Sequence, residues 1–215
     1  MGSIDYKKLY ALQDTVLEKV FSVEYEFYLT GGTALSRFYQ EKRYSDDLDF
    51  FTNSSTRFNF AIKNILTELS KEFTIENELD SRDFVRIKIN GLLQVDFVND
   101  RVPRYKEPKV LENGYKIDTI ENILSNKITA VIGRDNPKDI FDIYLINRYY
   151  SVDWSEILES AQEKSVFSID DLIVRLRSFP HRLLESINII DENFLDSFQD
   201  DFIDLIEEIE NRYES

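Results

Sequence analysis

The sequence predicts an α+β fold in which a mixed β-sheet with flanking helices precedes a C-terminal helical bundle. Strand-like apolar runs alternate with helical patterns up to residue 100, whereas beyond residue 118 apolar residues recur only at the three- and four-residue spacing of helices. The 215 residues are 42% hydrophobic and include only 6 Gly and 4 Pro. Because disordered and linker-rich chains have the opposite composition, we expect an ordered protein with a sizeable core.

The N-terminal half begins with an amphipathic helix over residues 9–20, whose leucines and valines share one face. A short aromatic and apolar strand at 25–29 stops at a pair of glycines, and Thr33 is expected to cap a short helix that follows. Alternation of acidic and apolar residues predicts a strand at 47–51, and the apolar spacing predicts a helix at 60–69.

A β-hairpin is predicted around Asn90-Gly91, between strands at 84–89 and 92–98. This dipeptide suits a type I′ turn because both central residues of that turn need a positive φ. A loop containing Pro103 and Pro108 follows the hairpin.

The C-terminal half shows only helical patterns. The change in pattern predicts two domains, residues 1–115 and residues 116–215. The predicted helices of the second domain cover residues 120–132, 138–149, 154–161, 170–178 and 194–209.

The composition excludes several classes of functional site. The chain has no Cys and a single His, His181, so disulfide scaffolds, thiolate metal sites and multi-histidine metal sites are excluded, and a Ser/His/Asp hydrolase would depend on that one residue. No segment is apolar enough to span a membrane, so we expect a soluble, cytoplasmic protein without a membrane partner.

The net charge of -15 disfavours non-specific coating of nucleic acid, but it is unevenly distributed. Residues 82–109 hold seven basic and four acidic side chains, a basic island that an RNA end could approach or that forms an ordinary solvated hairpin. Residues 191–215 hold ten acidic residues and one basic residue on an amphipathic helix. This helix either packs on its own domain or offers a docking surface to a basic partner.

Three carboxylates stand out by position. Asp47 and Asp49 project from the same face of a strand about 6.5 to 7 Å apart, so both can reach one divalent cation. Asp96 interrupts an apolar run, where a charge is costly unless it is paired or bound to a metal. An all-oxygen donor set favours Mg²⁺ or Mn²⁺, although an isolated Asp-x-Asp is more often a solvated pair.

Gly31 and Gly32 lie between the first strand and the next helix. Exposed backbone N–H groups at a helix start form an anion site, and glycine allows a triphosphate to approach the main chain. The alternative is a plain strand-to-helix turn that requires a positive φ.

Taken together, these motifs resemble those of the AbiEii/AbiGii toxin family, within the nucleotidyltransferase superfamily that includes DNA polymerase beta. The downstream pattern of Lys127 and Arg134 followed by Lys138-Asp139 and Asp142 also resembles the family's helical signatures, except that Lys138 stands where arginine is expected. The matching upstream residues are Gly31, Gly32, Thr33, Ala34, Leu35, Arg43, Ser45, Asp47, Asp49 and Phe50.

The resemblance implies a nucleotidyltransferase-type sheet in a catalytic domain of residues 1–115. It also implies roles for individual residues. Asp47, Asp49 and Asp96 would bind the metal. The nucleotide would contact Gly31, Gly32, Thr33, Ser45 and Lys127. The catalytic residues would be Asp47, Asp49, Asp96, Lys127 and Asp139.

Two of these assignments have structural alternatives. Lys127 could equally be a solvated helix lysine. Asp139 and Asp142 lie three apart, near Arg134 and Lys138, and could belong to an ordinary salt-bridged helix face.

The predicted function is metal-dependent transfer of a nucleotide from an NTP to a hydroxyl acceptor, with release of pyrophosphate and Mg²⁺ or Mn²⁺ as cofactor. The resemblance implies a toxin of a toxin–antitoxin or abortive-infection phage-defence system, a cognate antitoxin as partner, and a tRNA 3′ end or another RNA as acceptor, with no DNA. The alternatives are a small-molecule nucleotidyltransferase of the antibiotic-modifying type and a catalytically silent nucleotide- or partner-binding module.

Overall fold

A mixed β-sheet and a set of helices make up residues 4–213, the part of the chain that the computed structural model describes. The chain divides into two compact units. The first comprises the chain up to Ala34 together with Ser45–Pro103 and Glu107–Asp118, and the second comprises Leu35–Tyr44, Arg104–Lys106 and the chain from Thr119 onward. The division at residues 115/116 into a catalytic and a helical domain stays a prediction.

The sheet belongs to the first unit, and within the described residues it has seven strands in the order β3-β4-β5-β2-β1-β7-β6. Strands β2 and β5 pair in parallel, as do β1 and β7, whereas the other neighbours are antiparallel. The predicted mixed sheet is therefore confirmed. Its strands are β1 (Tyr28–Thr30), β2 (Asp47–Asn53), β3 (Ile75–Asp80), β4 (Phe84–Ile89), β5 (Leu93–Asp100), β6 (Lys109–Val110) and β7 (Lys116–Ile117).

Three helices accompany the strands: α1 (Tyr6–Val23), α2 (Gly31–Phe38) and α3 (Phe58–Leu69). The carboxylate of Asp5 accepts a hydrogen bond from the backbone N–H of Lys8 and so caps α1. One sheet face supplies the apolar core of this unit, together with residues of α1 and α3. The buried residues include Val16, Leu17, Val20, Leu48, Phe50, Ile62, Ile65, Val85, Ile87, Val95 and Phe97.

The predicted N-cap role of Thr33 is wrong, because α2 begins at Gly31. Gly31 has a φ of 71°, a conformation that lets the chain turn from β1 directly into the helix. Thr33 therefore lies inside the first turn, where its hydroxyl is available for contacts with other parts of the unit.

The predicted hairpin is confirmed, with one change in register. Asn90 and Gly91 have φ values of 52° and 63°, and the N–H of Leu92 donates to the carbonyl of Ile89, as a type I′ turn requires. Leu92, which was predicted to begin the second strand, instead stays in the turn, so Ile89 pairs with Leu93.

The sequence patterns do not predict strands β3, β6 and β7. Strand β3 lies at one edge of the sheet and is almost wholly exposed, so it lacks the apolar alternation by which strands are recognised. Strands β6 and β7 have two residues each, which is too short to give any pattern.

The helical second unit contains all the predicted C-terminal helices. Side chains of Thr119, Asn136, Asp153 and Ser168 cap four of them. Short 3₁₀ helices occupy His181–Ser186 and Glu192–Leu195. The helices are α4 (Ile120–Gly133), α5 (Pro137–Tyr149), α6 (Trp154–Lys164), α7 (Ile169–Arg177) and α8 (Phe198–Tyr213).

The acidic C-terminal helix α8 packs within its own unit. Its apolar residues Phe198, Phe202, Leu205 and Ile209 are buried. Most of its acidic side chains face outward. Packing on its own domain is therefore observed, and docking of a basic partner on the outward acidic face stays a prediction. Over residues 4–213, none of the helices combines the length and the apolar character that crossing a bilayer requires.

Candidate active site

The carboxylates predicted to bind metal lie in adjacent strands of the first unit. In the sheet register, Asp49 of β2 stands beside Asp96 of β5, and Asp96 stands opposite Arg86 of β4. Residues opposite one another in neighbouring strands project to the same side, so these three side chains form one cross-strand row, here called the carboxylate row. The row lies on the face opposite the apolar core.

Asp47 lies two residues before Asp49 and on the same face, beside Gln94 of β5. Both aspartates are half-buried, whereas Leu48 and Phe50, which alternate with them, are fully buried. The predicted strand and its alternation are thus confirmed. The carboxylates of Asp47 and Asp49 lie on the half-buried face of β2, where a ligand could reach them.

Asp96 is held by an ion pair with two hydrogen bonds. Nε of Arg86 donates to Oδ1 at 2.8 Å, and an Nη of the same guanidinium donates to Oδ2 at 2.6 Å. Asp96 is only 7% exposed. This arginine explains how a charge is tolerated in the apolar strand, since buried carboxylates need a partner. Its hydrogen bond to Asp96, with added contributions from Glu78 and Asp49, raises the pKa of Arg86.

Gly31 lies next to the side chain of Asp49 in the carboxylate row. A Cβ placed on this residue would stand 2.6 Å from Oδ2 of Asp49, closer than real Cβ atoms approach. The glycine therefore does more than permit a positive φ. It leaves the space in which the Asp49 carboxylate rests, beside the backbone N–H groups at the start of α2.

The hydroxyls of Thr33 and Ser45 are buried and engaged within the first unit. Oγ1 of Thr33 lies 2.8 Å from Oγ of Ser45 and 2.5 Å from the carbonyl oxygen of Asp47. The Gln13 amide donates to the carbonyl of Ser45 at 3.0 Å. These bonds tie the beginning of β2 to α1 and α2, and so fix the strand that carries Asp47. Direct phosphate contact by either hydroxyl stays a prediction.

Two polar residues beside the row were not anticipated. Thr30 of β1 pairs with Asp49, and its hydroxyl donates to Asp118 at 2.5 Å. Asp118 is fully buried and directly follows β7. Neither residue belongs to a recognisable motif, so no sequence signal identified them. Arg86 was counted only as one cation of the basic island.

The predicted residues Lys127 and Asp139 belong to a buried ionic cluster of the second unit. Nζ of Lys127 lies 2.8 Å from Asp139 and 2.7 Å from Asp142. Arg43 donates two hydrogen bonds of 2.7 Å to Asp142. Arg134, which is partly exposed, pairs with Asp139 at 2.7 Å. We call these five residues the ionic cluster.

The solvated alternative for Lys127 is wrong, whereas the salt bridges expected for Asp139 and Asp142 are present, although both carboxylates are buried. Lys127 is 9% exposed, and the two carboxylates are 0% and 1% exposed. The partners converge from two helices and a segment distant in sequence, so no local pattern reveals the burial. Whether these residues contact a nucleotide stays a prediction.

Opposite charges set the pKa values in the ionic cluster. Burial acts to raise the pKa of both aspartates, but neighbouring cations outweigh it and hold both pKa values below the usual range. The cations are Lys127 with Arg134 at Asp139, and Arg43 with Lys127 at Asp142. Burial acts to lower the pKa of Lys127, but Asp142 and Asp139 together raise it. All three groups are therefore charged at neutral pH.

The basic island of residues 82–109 is partly neutralised. Arg101 pairs with Asp83, and Arg86 pairs with Asp96. The hydroxyl of Tyr105 hydrogen-bonds to Glu156, which raises the pKa of the phenol to about 12. The approach of an RNA end to this island stays a prediction.

Asp47 and the carboxylate row fit a hard cation that is bound by two carboxylates better than one that is bound by three. Over residues 4–213, no group of three or more acidic or histidine side chains is arranged to hold a metal ion. Asp47 and Asp49 nonetheless provide the one or two carboxylates by which Mg²⁺ is usually bound when waters and substrate phosphates complete its shell. Both oxygens of Asp96 accept hydrogen bonds from Arg86 instead.

A family comparison decides the identity of the fold. Residues 15–211 match the profile of the family described as "Nucleotidyl transferase AbiEii toxin, Type IV TA system". The chain belongs to the AbiEii family. As a member of this family, it is a nucleotidyl transferase enzyme of a toxin–antitoxin type.

Individual relatives are similar to this chain in sequence or in fold. The uncharacterized protein aq_aa25 of Aquifex aeolicus (strain VF5) is 33% identical over 172 residues, covering 78% of this chain and 81% of that protein. The crystal structure of JHP933 from Helicobacter pylori matches with a TM-score of 0.57 at 19% identity, covering 100% of this chain and 97% of that one. The structure of MenT4, a nucleotidyltransferase toxin from Mycobacterium tuberculosis H37Rv, matches with a TM-score of 0.54 at 14% identity. The match covers 73% of this chain and 63% of that one. The nucleotidyltransferase-type fold is confirmed.

Proposed function

We propose that this AbiEii enzyme transfers a nucleotide from an NTP to an RNA hydroxyl, such as a tRNA 3′ end, with Mg²⁺ or Mn²⁺ held at the carboxylate row. The observation that carries the proposal is the close approach of Gly31 to Asp49. It brings a helix N-terminus suited to phosphate next to carboxylates suited to a hard cation, and nucleotidyl transfer requires both.

Each residue of the first unit has a distinct part in the proposal. Asp47 and Asp49 would hold the cation from β2, and the N–H groups of Gly31 and Gly32 would bind the triphosphate oxygens. The cation supplies charge neutralisation and in-line alignment of the phosphates. Asp96 is the third carboxylate and would also ligate the cation.

The transfer needs no nucleophile from the protein. The acceptor hydroxyl attacks the α-phosphorus and forms the new P–O bond, and the bond to pyrophosphate breaks with its electrons leaving on that group. The hydroxyl proton passes to Asp96. A chain without cysteine and with one histidine can carry out such a reaction.

Lys127 and Asp139 are proposed to act as positioning residues through the ionic cluster. Lys127 bridges Asp139 and Asp142, and Asp142 holds Arg43 by two hydrogen bonds. Arg43 lies four residues before Asp47 in the chain, so fixing it restricts the segment that enters β2.

The test of the enzymatic proposal is label transfer. The protein is incubated with each α-labelled NTP, Mg²⁺ and total RNA, and Asp49→Asn is compared with Asp80→Asn, a matched change at an exposed carboxylate of β3. We expect the label to enter RNA and Asp49→Asn to lower the rate roughly 100-fold or more, with Asp80→Asn unchanged. Label found only in small molecules would replace the RNA acceptor with the antibiotic-type alternative. No transfer to any acceptor would contradict the proposal.

The role as a toxin with a cognate antitoxin is proposed from the family description. Expression of the wild-type chain should arrest growth, and Asp49→Asn should relieve the arrest at equal protein level. Co-expression of the neighbouring gene should also relieve it if that gene encodes the antitoxin. Arrest that persists with Asp49→Asn would separate toxicity from the transfer reaction.

A further inference from the structure

Asp96 of the carboxylate row is paired with a cation. Both of its oxygens accept hydrogen bonds from Arg86, at 2.8 and 2.6 Å, and Gln94 lies 3.5 Å from one of them. A carboxylate engaged in this way has its strongest acceptor directions occupied by a planar guanidinium. A metal ion and Arg86 therefore compete for the same oxygens.

The register of the sheet places Asp96 between the competing Arg86 and the predicted metal ligand Asp49. Asp96 lies between Arg86 on one side and Asp49 on the other, in one row. Asp49 and Glu78 also favour the charged guanidinium electrostatically. Arg86 thus lies in the negative field that would otherwise attract a divalent cation.

The surroundings of Arg86 allow its side chain to move. Its side chain is 37% exposed, whereas that of Asp96 is 9% exposed. The guanidinium carbon lies 5.5 Å from the centroid of the Phe84 ring, also on the open face of β4. A long side chain at the solvent-accessible end of the row can withdraw, whereas the strand-bound aspartate cannot.

We propose that Arg86 is an exchangeable counter-ion of Asp96, which holds this carboxylate in the metal-free enzyme and must leave it before Asp96 can ligate a divalent cation. The inference rests on the proposed function, because it takes Asp96 as a metal ligand. It adds a positioning residue that limits metal binding. Arg86 would keep the third carboxylate oriented while lowering the affinity of the site for the ion alone.

The first test measures Mn²⁺ binding by calorimetry in the absence of nucleotide. Arg86→Gln removes the competing charge, and Arg82→Gln is the matched control because Arg82 is 86% exposed and approaches only Asp83, at 3.9 Å. We expect Arg86→Gln to bind Mn²⁺ roughly tenfold more tightly than wild type, as expected from the strength of charge-assisted hydrogen bonds. Arg82→Gln should change the affinity less than about twofold, because exposed charges interact weakly.

A second variant protects the test against a folding defect. Arg86→Lys keeps the positive charge but loses the planar guanidinium that donates two hydrogen bonds to Asp96. The Mn²⁺ affinity of this variant should therefore lie between those of wild type and Arg86→Gln. In the Asp96→Asn background, Arg86→Gln should give no gain. Equal Mn²⁺ affinity in wild type, Arg86→Lys and Arg86→Gln overturns the inference, and so does a gain that persists without the Asp96 carboxylate.

A second measurement follows the guanidinium directly. The Nε–H signal of Arg86, identified by its loss in Arg86→Lys, should shift during a Mg²⁺ titration to the position of an exposed arginine. A signal that stays fixed while Mg²⁺ saturates the protein overturns the inference. The label-transfer assay decides the proposed function separately, because transfer that depends on Asp49 can persist whether or not Arg86 exchanges.

Discussion

The carboxylate of Asp49 occupies the space that a side chain at residue 31 would need, since a Cβ there would stand 2.6 Å from Oδ2 of Asp49. This contact is more specific than the positive φ of Gly31, because several other residues of the chain also adopt positive φ. It makes the glycine part of the site geometry as well as of the turn.

We expect Gly31→Ala to destabilise the protein and to abolish transfer, because the methyl group would displace Asp49. Gly114→Ala is the control, since Gly114 has a φ of 85° but nothing within 4 Å of its Cβ position. Backbone strain alone costs about 1–3 kcal/mol of unfolding free energy, so Gly114→Ala should show that loss and retain activity. Urea unfolding and label transfer measure both effects. Equal behaviour of the two variants would contradict the role of the contact.

The ionic cluster should be sensitive to the loss of one partner. Asp142→Asn leaves Arg43 and Lys127 buried with one fewer counter-charge, so we expect about 3–5 kcal/mol lower unfolding free energy in urea. Glu68→Gln, which removes the charge that pairs with the exposed Lys71 and approaches Lys19, should change stability far less. A similar loss of unfolding free energy in both variants would show that the effect of breaking an ion pair does not depend on its burial.

Acid should destabilise the wild-type protein through the same cluster. The pKa values of Asp139 and Asp142 are lower in the folded state than in the unfolded chain, so their stabilising contribution is present above about pH 4. This contribution is lost as the pH falls from there through the folded-state pKa. Urea unfolding between pH 7 and pH 3 should show a shallower acid loss in Asp142→Asn than in wild type. An unchanged pH dependence would contradict the assignment.

Thr33 should matter for stability and for the placement of Asp47. Thr33→Val removes a hydroxyl that lies 2.5 Å from the Asp47 carbonyl, so we expect a loss of about 1–3 kcal/mol in unfolding free energy and slower transfer. Thr67→Val is the control, because Thr67 is exposed and its hydroxyl donates only to a carbonyl within α3. Its effect should stay within about 0.5 kcal/mol. Thermal unfolding and label transfer compare the two variants.

The sequence predicts the fold where local patterns are strong. The alternation around Asp47 and Asp49 identifies β2, and Asn90-Gly91 identifies the hairpin. Strand β3 escapes prediction because its edge position leaves it exposed on both faces, which removes the period-two signal.

The partner of Asp96 depends on a register that the sequence does not specify. A two-residue loop at Asn90-Gly91 would pair Ile89 with Leu92 and would set Asp96 opposite Val85. In the structure Leu92 remains in the turn, and this shift by one residue sets Asp96 opposite Arg86. The charge in the apolar strand could be recognised as costly from the sequence, but the residue that neutralises it could not.

The ionic cluster shows a second limit of sequence reasoning. Lys127 and Asp139 were found only through a family resemblance, because a charged residue on a helix looks the same in sequence whether it is solvated or buried. Burial here depends on Arg43, which meets Asp142 across 99 positions of sequence. Such a long-range pairing leaves no local periodicity.

The parallel pairing of β2 with β5 delays the assembly of the carboxylate row during synthesis. Parallel neighbours require a crossover, and here the chain passes through α3, β3 and β4 before β5 can join β2. A ribosome-bound chain that ends before β5 carries Asp49 without Asp96 beside it, and long-range strand pairing forms slowly. The complete row therefore exists only after β5 has been synthesised and has paired with β2.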